Sequence, residues 1–324
     1  MRIKWRCLLS MIIGTLACPA QTSLSDVRRR DFLYIPALVQ NRAGEVIYDL
    51  SPQDFLVEDN GVSRNVTLAN DFHLRPIALV LVIQSGHNAT AELQSVPGLS
   101  GLMDAVLSQP QDRVAIIAYD QHPRILQDFT SDTDQARASL SELQPGDNGA
   151  SLFDALHLAL SVMKRVPDDE QKIILTVGGV RDQSSNLSDP VPLLQEIASQ
   201  NLSVYCLAFT PSRRGLTGDL RMLNPFSALA VRQNAAQSLA QLTGGDFYQF
   251  RNEKSFEDRM MAVANHIHNR YMLRLETGDS KPGVHSIRVQ VQVSVDHRVT
   301  AKSAYFVFSK PEDVEAVPNQ NSKE

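Results

Sequence analysis

The alternation of apolar and polar positions divides the chain into three stretches. From Phe32 to about Phe72 short apolar runs are separated by turn-forming residues. Phe32–Val39 and Glu45–Tyr48 flank Asn41-Arg42-Ala43-Gly44, while Phe55–Glu58 and Arg64–Leu68 flank Asp59-Asn60-Gly61. Asn and Gly tolerate the positive φ of tight hairpin turns, so the second pair predicts a hairpin. No helical period is present here.

The pattern then changes. Ile77–Ile83 is continuously apolar, as expected of a strand buried on both faces. A helical stretch at about Thr90–Leu107, a strand Val114–Tyr119 and a helix Thr133–Leu143 follow. Leu152, Ala155, Leu156, Ala159, Leu160 and Met163 recur at helical spacing. The series closes with strand Lys172–Val177, helix Pro192–Gln200, strand Ser203–Phe209, helix Val231–Leu242, strand Phe247–Phe250 and a helix marked by Phe256, Met260, Val263 and Ile267. Strands alternating with helices of this length predict βαβ units and a mostly parallel sheet with helices on both faces. Ligands of such sheets sit beyond the carboxyl ends of the strands.

After Arg270 the period returns to two. Ile287, Val289, Val291, Val293 and Val295 form one face, Arg288, Gln290, Gln292 and Ser294 the other, and Tyr305–Phe308 adds a further strand. Neither terminal set of strands is large enough to fold alone. Their pairing into one small antiparallel β-sandwich, with the α/β unit inserted, is the economical arrangement. The expected division is a leader at 1–20, N-terminal strands at 32–73, the α/β unit at 74–270, C-terminal strands at 271–308 and a polar, disordered tail at 309–324.

The N-terminus changes the picture. Arg2, Lys4 and Arg6 precede the apolar run Cys7–Ala17, and Cys18 and Ala20 are small exit residues. This pattern predicts a secretory signal peptide cleaved after Ala20 and a periplasmic or secreted protein. Lipid attachment at Cys18 is the rival, for which Thr15-Leu16-Ala17 is a poor signal. No later segment is long and apolar enough for an integral membrane span. Losing the leader takes the net charge from −5 to −8, which argues against a nucleic-acid partner. Cys206, inside an apolar strand, reads as a small core residue.

The order and spacing of these elements resemble the von Willebrand factor A (vWA) fold, and in particular the vWA-related proteins abundant in acidobacteria. Four local patterns carry the resemblance: Asp49–Gly61 before the first buried strand, Gly149–Leu156 opening a helix, Leu242–Tyr248, and Arg270–Leu273 entering the last sheet. The family's metal-ion adhesion site combines an Asp-x-Ser-x-Ser turn after the first strand, a Thr ahead of the mid-chain helix and an Asp ending a later strand. A hard divalent ion wants about six oxygen ligands. Here Ile83 stands at the Asp position, Ser85 matches, and His87 replaces the second Ser. Ala150 stands at the Thr position, with Ser151 one place out of register, and Val177 replaces the second Asp. The site therefore reads as degenerate, with no metal and no cofactor expected.

Other polar groups carry weaker signals. His87 with Asp147 or Asp182 is a conceivable soft-metal set, but reads better as a loop histidine. His266 and His268 lie two apart on a helix, cannot share a metal, and read as a solvated face. Asp154 resembles an acidic residue common in relatives, where it makes a structural hydrogen bond. Ser85 lacks the Gly-x-Ser-x-Gly elbow of a nucleophile. Pro211–Ala230 is long for a βα loop, usually about 2–6 residues. It carries Arg213, Arg214, Arg221 and Phe226, a mixture suited to a protein interface. The export signal, the resemblance and the missing ligands together imply an exported, non-catalytic, metal-independent protein-interaction module of adhesion type. Its partner-binding candidates are Ser85, His87, Asp182, Arg213, Arg214, Arg221 and Phe226. The alternatives are a serine hydrolase using Ser85 and His87, and a structural envelope component.

Overall fold

The computed structural model describes residues 32–86, 89, 97–187, 189–209, 234–278, 280–293 and 295–309. The leader, the tail after Ser309, His87 and the whole of 211–230 lie outside the described residues, so the expectations placed on them are not addressed by the fold.

The middle of the chain forms a six-stranded sheet in the order β10-β9-β8-β5-β6-β7. Its strands are β5 (Ile77–Gln84), β6 (Arg113–Tyr119), β7 (Arg124–Thr130), β8 (Gln171–Gly178), β9 (Leu202–Phe209) and β10 (Phe247–Phe250). All pairings are parallel except β6–β7. Among the described residues six α-helices accompany it: α1 (Gly101–Val106), α2 (Thr133–Ser141), α3 (Leu152–Met163), α4 (Val191–Ser199), α5 (Ala235–Thr243) and α6 (Glu253–Asn269).

Strand β5 shows why the sheet needs cover on both sides. Ala78, Val80 and Val82 face a core built with α3, α4 and α5, whereas Ile77, Leu79, Leu81 and Ile83 face one built with α1, α2 and α6. Every residue of β5 is buried. Burying one such aliphatic side chain contributes about 1.5–3 kcal/mol, so this strand anchors both layers. The helix ends follow their sequence signals. Asp132 accepts from the N–H groups of Asp134 and Gln135 at the start of α2, and Asn252 caps α6 through the N–H of Ser255. Gly244 ends α5 with φ +75, and a side chain there would also collide with Lys302 and Pro36.

The terminal strands pair as expected. One four-stranded antiparallel sheet runs β13-β1-β11-β4 and a second β14-β12-β2-β3. They comprise β1 (Phe32–Asn41), β2 (Phe55–Asp59), β3 (Val62–Arg64), β4 (Thr67–Leu68), β11 (Tyr271–Glu276), β12 (Gly283–Val291), β13 (His297–Ala301) and β14 (Ala304–Val307). Leu33, Ile35, Leu273 and Leu275 of one sheet share a core with Phe55, Val57, Ile287 and Tyr305 of the other. Asn60 and Gly61, at φ 51 and 79, make the β2–β3 turn.

Several expectations need correction. Glu45–Tyr48 is not a strand; only a single bridge, Gln40 to Val46, remains of that hairpin. Arg64–Leu68 splits between two strands, because the chain crosses there from one sheet to the other. The helix expected at Thr90–Leu107 is, among the described residues, a 3-10 turn at Pro97–Leu99 followed by the short α1. Strands β7 and β13 have no clean alternation in sequence; β7 follows bulges in its pairing with β6. Val295 lies past the end of β12 and is 52% exposed. His266 is not on a solvated face. It is fully buried against Tyr205, whereas His268 is exposed and makes a hydrogen bond with the Ala105 carbonyl.

The sandwich meets the α/β unit at the amino ends of the parallel strands. Lys302, 1% exposed, donates from Nζ to the carbonyls of Ala198 (3.2 Å) and Gln200 (3.1 Å) at the end of α4. Arg270, between α6 and β11, donates to the Tyr205 hydroxyl (2.8 Å) and to Ser203 Oγ (3.0 Å). The carboxyl edge is left clear of the sandwich.

Candidate functional site

At the carboxyl edge the chain beyond β5 is held in extended form. The Ser85 N–H donates to the Tyr119 carbonyl (2.7 Å), and the Ser85 carbonyl accepts from the Gly146 N–H (2.7 Å). Gly86 bridges to Gly146, and a Cβ on it would stand 2.5 Å from the Gly149 carbonyl oxygen. Only glycine permits that approach. The edge thus gathers the ends of β5, β6 and β8 with the loop before α3.

What stands at those places is mostly apolar and enclosed. Ile83 and Val177 are register neighbours in β5 and β8; both are 0% exposed and point into the core shared with α1 and α6. Ala150 is 1% exposed and belongs to the opposite core. Ser85 is 2% exposed. A divalent ion bridging these strands needs carboxylate oxygens, and the residues present do not fit it. Among the described residues no group of three or more His, Cys, Asp or Glu side chains is placed to hold a metal ion.

The polar groups that remain are engaged within the chain. Gln84 Oε1 accepts from the Gly179 N–H (2.7 Å), tying the end of β5 to the end of β8 without an ion. The loop after β8 closes over the first turn of α3. Ser184 Oγ accepts from the Ala150 N–H (2.8 Å), Asp182 from the Phe153 N–H (3.1 Å), and Ser185 Oγ from the Asp154 N–H (3.2 Å). Helix N-termini leave donors unsatisfied, and three side chains of one loop fill them here. Ser185 Oγ also donates to Asp182. Asp154 in turn accepts from the backbone and side chain of Asn186, the structural hydrogen bond its sequence context implied.

Asp120 follows β6 and is 5% exposed. Its carboxylate accepts from the N–H groups of His122 (2.7 Å) and Asp147 (3.3 Å) and from Arg124 (3.1 Å). Burial pushes this carboxyl up, but those donors outweigh it and hold the group below the ordinary carboxylate value. Its backbone carbonyl accepts from both the N–H and the Oγ of Ser151, which ties Asp120 to the start of α3. On the sheet beneath, burial raises the Tyr119 hydroxyl and pushes the Cys206 thiol up to about 12, so neither is a nucleophile near neutrality.

The structure therefore brings together Ile83, Ser85, Ala150, Val177 and Asp182. It turns the first four inward, and half-buries Asp182 as a helix cap. His87 and the four candidates Arg213, Arg214, Arg221 and Phe226 lie outside the described residues. Sequence reading passed over Gln84, Asp120 and the Ser184–Ser185 pair. The signal for the pair was the run Asp182-Gln183-Ser184-Ser185-Asn186, rich in capping residues yet distant in sequence from the helix it caps.

Comparison with known proteins finds a family likeness that includes this edge. Residues 83–180 match the family model described as the von Willebrand factor type A domain. No curated protein matches the chain. Among solved structures, BatB from Bacteroides thetaiotaomicron is 14% identical, with a TM-score of 0.44 over 59% of this chain and 97% of that one. A von Willebrand factor type A protein from Catenulispora acidiphila is 10% identical, with a TM-score of 0.46 over 88% of this chain and 75% of that one. The vWF domain of the type V pili tip protein Mfa5 from Porphyromonas gingivalis is 12% identical, with a TM-score of 0.42 over 60% and 96%. The family match runs from the end of β5 to just past the end of β8, within the six-stranded sheet with helices on both faces, so this part of the chain is similar to a von Willebrand factor type A domain.

Proposed function

We propose that this chain is an exported, non-catalytic protein-interaction module that engages its partner through the carboxyl edge of the parallel sheet without a bridging metal. The observation that carries the metal-free reading is the Ile83–Val177 pair. Two positions at which the family places carboxylates hold neighbouring aliphatic side chains sealed in the core. The Gln84–Gly179 bond supports it further, since it joins the two strand ends that an ion would otherwise bridge. Export rests on the Met1–Ala20 pattern, and the partner surface rests on Arg213, Arg214, Arg221 and Phe226, which follow β9 in sequence.

A Ser85 nucleophile is disfavoured by its burial, which leaves a substrate carbonyl no approach to the hydroxyl. No helix among the described residues is long and apolar enough to cross a membrane.

Titration calorimetry of the mature chain with Mg²⁺, Mn²⁺ and Ca²⁺ is expected to give no micromolar binding; micromolar binding that Ser85→Ala abolishes would overturn the metal-free reading. The partner surface is tested by a photo-crosslinking residue at exposed Asp147. In host cells the adduct it forms is expected to be lost when 211–230 is deleted. An adduct unchanged by that deletion overturns the assignment to this loop.

A further inference from the structure

The sandwich carries a groove of its own, away from the carboxyl edge. Strand β4 pairs with β11 only at Leu273 and Arg274, while β11 continues to Glu276 with β1 along its other side. The crossover Ser63–Thr67 diverges towards the second sheet, so the wall opens into a groove of about 520 Å³ between that crossover and Arg274–Glu276. Met272 and Glu276 both turn their carbonyls to the β4 side: the first accepts from the Ala69 N–H, the second from Arg64. The groove therefore follows a strand edge whose pairing stops short.

Its two arginines differ. Arg64 is committed, donating from Nη2 to the Glu276 carbonyl (2.8 Å) with Nη1 3.3 Å from Asp59. Arg274 is not committed. Its Cζ lies over the Phe32 ring, 3.5 Å from the centroid, and its buried Nε has no hydrogen-bond partner. No ion pair or hydrogen bond of the Arg274 side chain occurs among the described residues. A guanidinium fixed by stacking keeps its in-plane N–H groups for a carboxylate and has little rotamer freedom left to lose on binding one. At the mouth stands Glu276, exposed and on the same face of β11 two residues along, about 7 Å away at the rise of a strand. That carboxylate sets a limit, since it repels a ligand carrying a run of acids.

The geometry points to a peptide-binding groove: an extended segment of a partner protein lies between the Ser63–Thr67 crossover and Arg274–Glu276 and places one acidic side chain on Arg274. Arg64 already holds the Glu276 carbonyl, so the Arg274 guanidinium rather than the strand edge supplies the recognition. The surface is separate from the carboxyl edge, and variants in one leave the other untouched.

Fluorescence anisotropy of the mature chain tests it with three labelled six-residue peptides of Val and Thr, carrying one central Asp, one Asn in its place, or three Asp. The single-Asp peptide is expected to bind at least about tenfold more tightly than the Asn peptide, the margin of one charge-assisted hydrogen-bonded pair. Arg274→Gln should erase that margin and Arg274→Lys restore only part of it. Glu276→Gln should bring the three-Asp peptide up to the single-Asp one. Amide and side-chain NMR signals of Arg64, Arg274 and Glu276 should move on titration, which gives a readout that needs no variant. Equal binding of the Asp and Asn peptides, no binding by either, or an unchanged margin in Arg274→Gln overturns the proposal. Saturation by acetate as tight as by the peptide overturns the extended segment and leaves a small-carboxylate site.

Discussion

The two ends of the parallel sheet treat polar groups in opposite ways. At the carboxyl edge Ile83, Ala150 and Val177 are all packed into core. The neighbouring polar side chains, Gln84, Asp182, Ser184 and Ser185, spend their hydrogen bonds on the domain's own backbone. At the amino end, charge has been taken inside. Lys302 sits fully buried on the last carbonyls of α4, and Arg270 reaches the hydroxyls of Tyr205 and Ser203. A cation at a helix C-terminus is favoured by the helix dipole as well as by the bonds it makes. The contrast separates two uses of one scaffold. The carboxyl edge is closed by apolar packing and self-capping, while the joint to the sandwich is fastened by buried charge.

The largest effect is expected from putting charge back at the carboxyl edge. Ile83→Asp places a carboxylate in a core of Leu, Ile and Val side chains with no cation beside it. An unpaired buried charge is among the most costly substitutions, so a loss on the order of 4 kcal/mol or more is expected in urea unfolding. Millimolar Mg²⁺ should not restore the midpoint. Recovery with Mg²⁺ would mean that this edge still offers a ligand set, and would erase the distinction between the two ends.

A smaller but clear loss is expected at the joint. Lys302→Ala removes the donor from the Ala198 and Gln200 carbonyls and leaves a void at a position 1% exposed. Unmet carbonyls and a cavity together suggest a cost of about 3 kcal/mol. Denaturant unfolding monitored at Tyr205 and at the sandwich would further show whether the two units still unfold in one transition. A variant as stable as the parent would remove the claim that buried charge fastens the joint.

The fold was legible in the sequence because it rests on periodicity that burial enforces. Ile77–Ile83 is uninterrupted because both faces of β5 are covered, and Ile287, Val289 and Val291 alternate because one face of β12 is wet. Legibility failed where tertiary context overrode the local pattern. Strand β7 follows a bulged partner, β13 is only five residues long, and Glu45–Tyr48 had β-type residues but no neighbour to extend the ladder. The candidate site was legible as a set of substitutions, since Ile83, Ala150 and Val177 stand where the resemblance calls for oxygen ligands. Its replacement was not. The Gln84–Gly179 bond and the capping of α3 by Asp182, Ser184 and Ser185 join residues 29 to 95 positions apart, and no spacing rule connects them.

His266 shows the same limit and gives the subtlest test of the contrast. Two histidines at i and i+2 face different ways, and sequence alone does not say which of them meets the core. His266 is 0% exposed, stands edge-on to Tyr205 at 5.2 Å, and neither ring nitrogen has a hydrogen-bond partner. The groups that face it are Asp246, 3.8 Å from Nδ1, and the guanidinium groups of Arg270 and Arg298. Burial, followed by the two arginines, pushes its imidazole down to about 3 from an ordinary 6.5, outweighing the Asp246 carboxylate. The unfolded chain then binds more protons than the folded one between those values, so stability rises with pH across that window. His266's share is fully present above about 6.5 and is lost as pH falls towards 3, with a slope on the order of 1 kcal/mol per pH unit. His266→Phe keeps the edge-on packing and removes two buried nitrogens that lack partners. It is therefore expected to unfold at the same or a slightly higher urea concentration near neutrality, and to lose less stability than the parent on acidification. Parallel pH curves for the two proteins would mean that the histidine is not held neutral at the joint. The amino end would then fasten through Lys302 and Arg270 alone, and its polarity would be wholly that of charge.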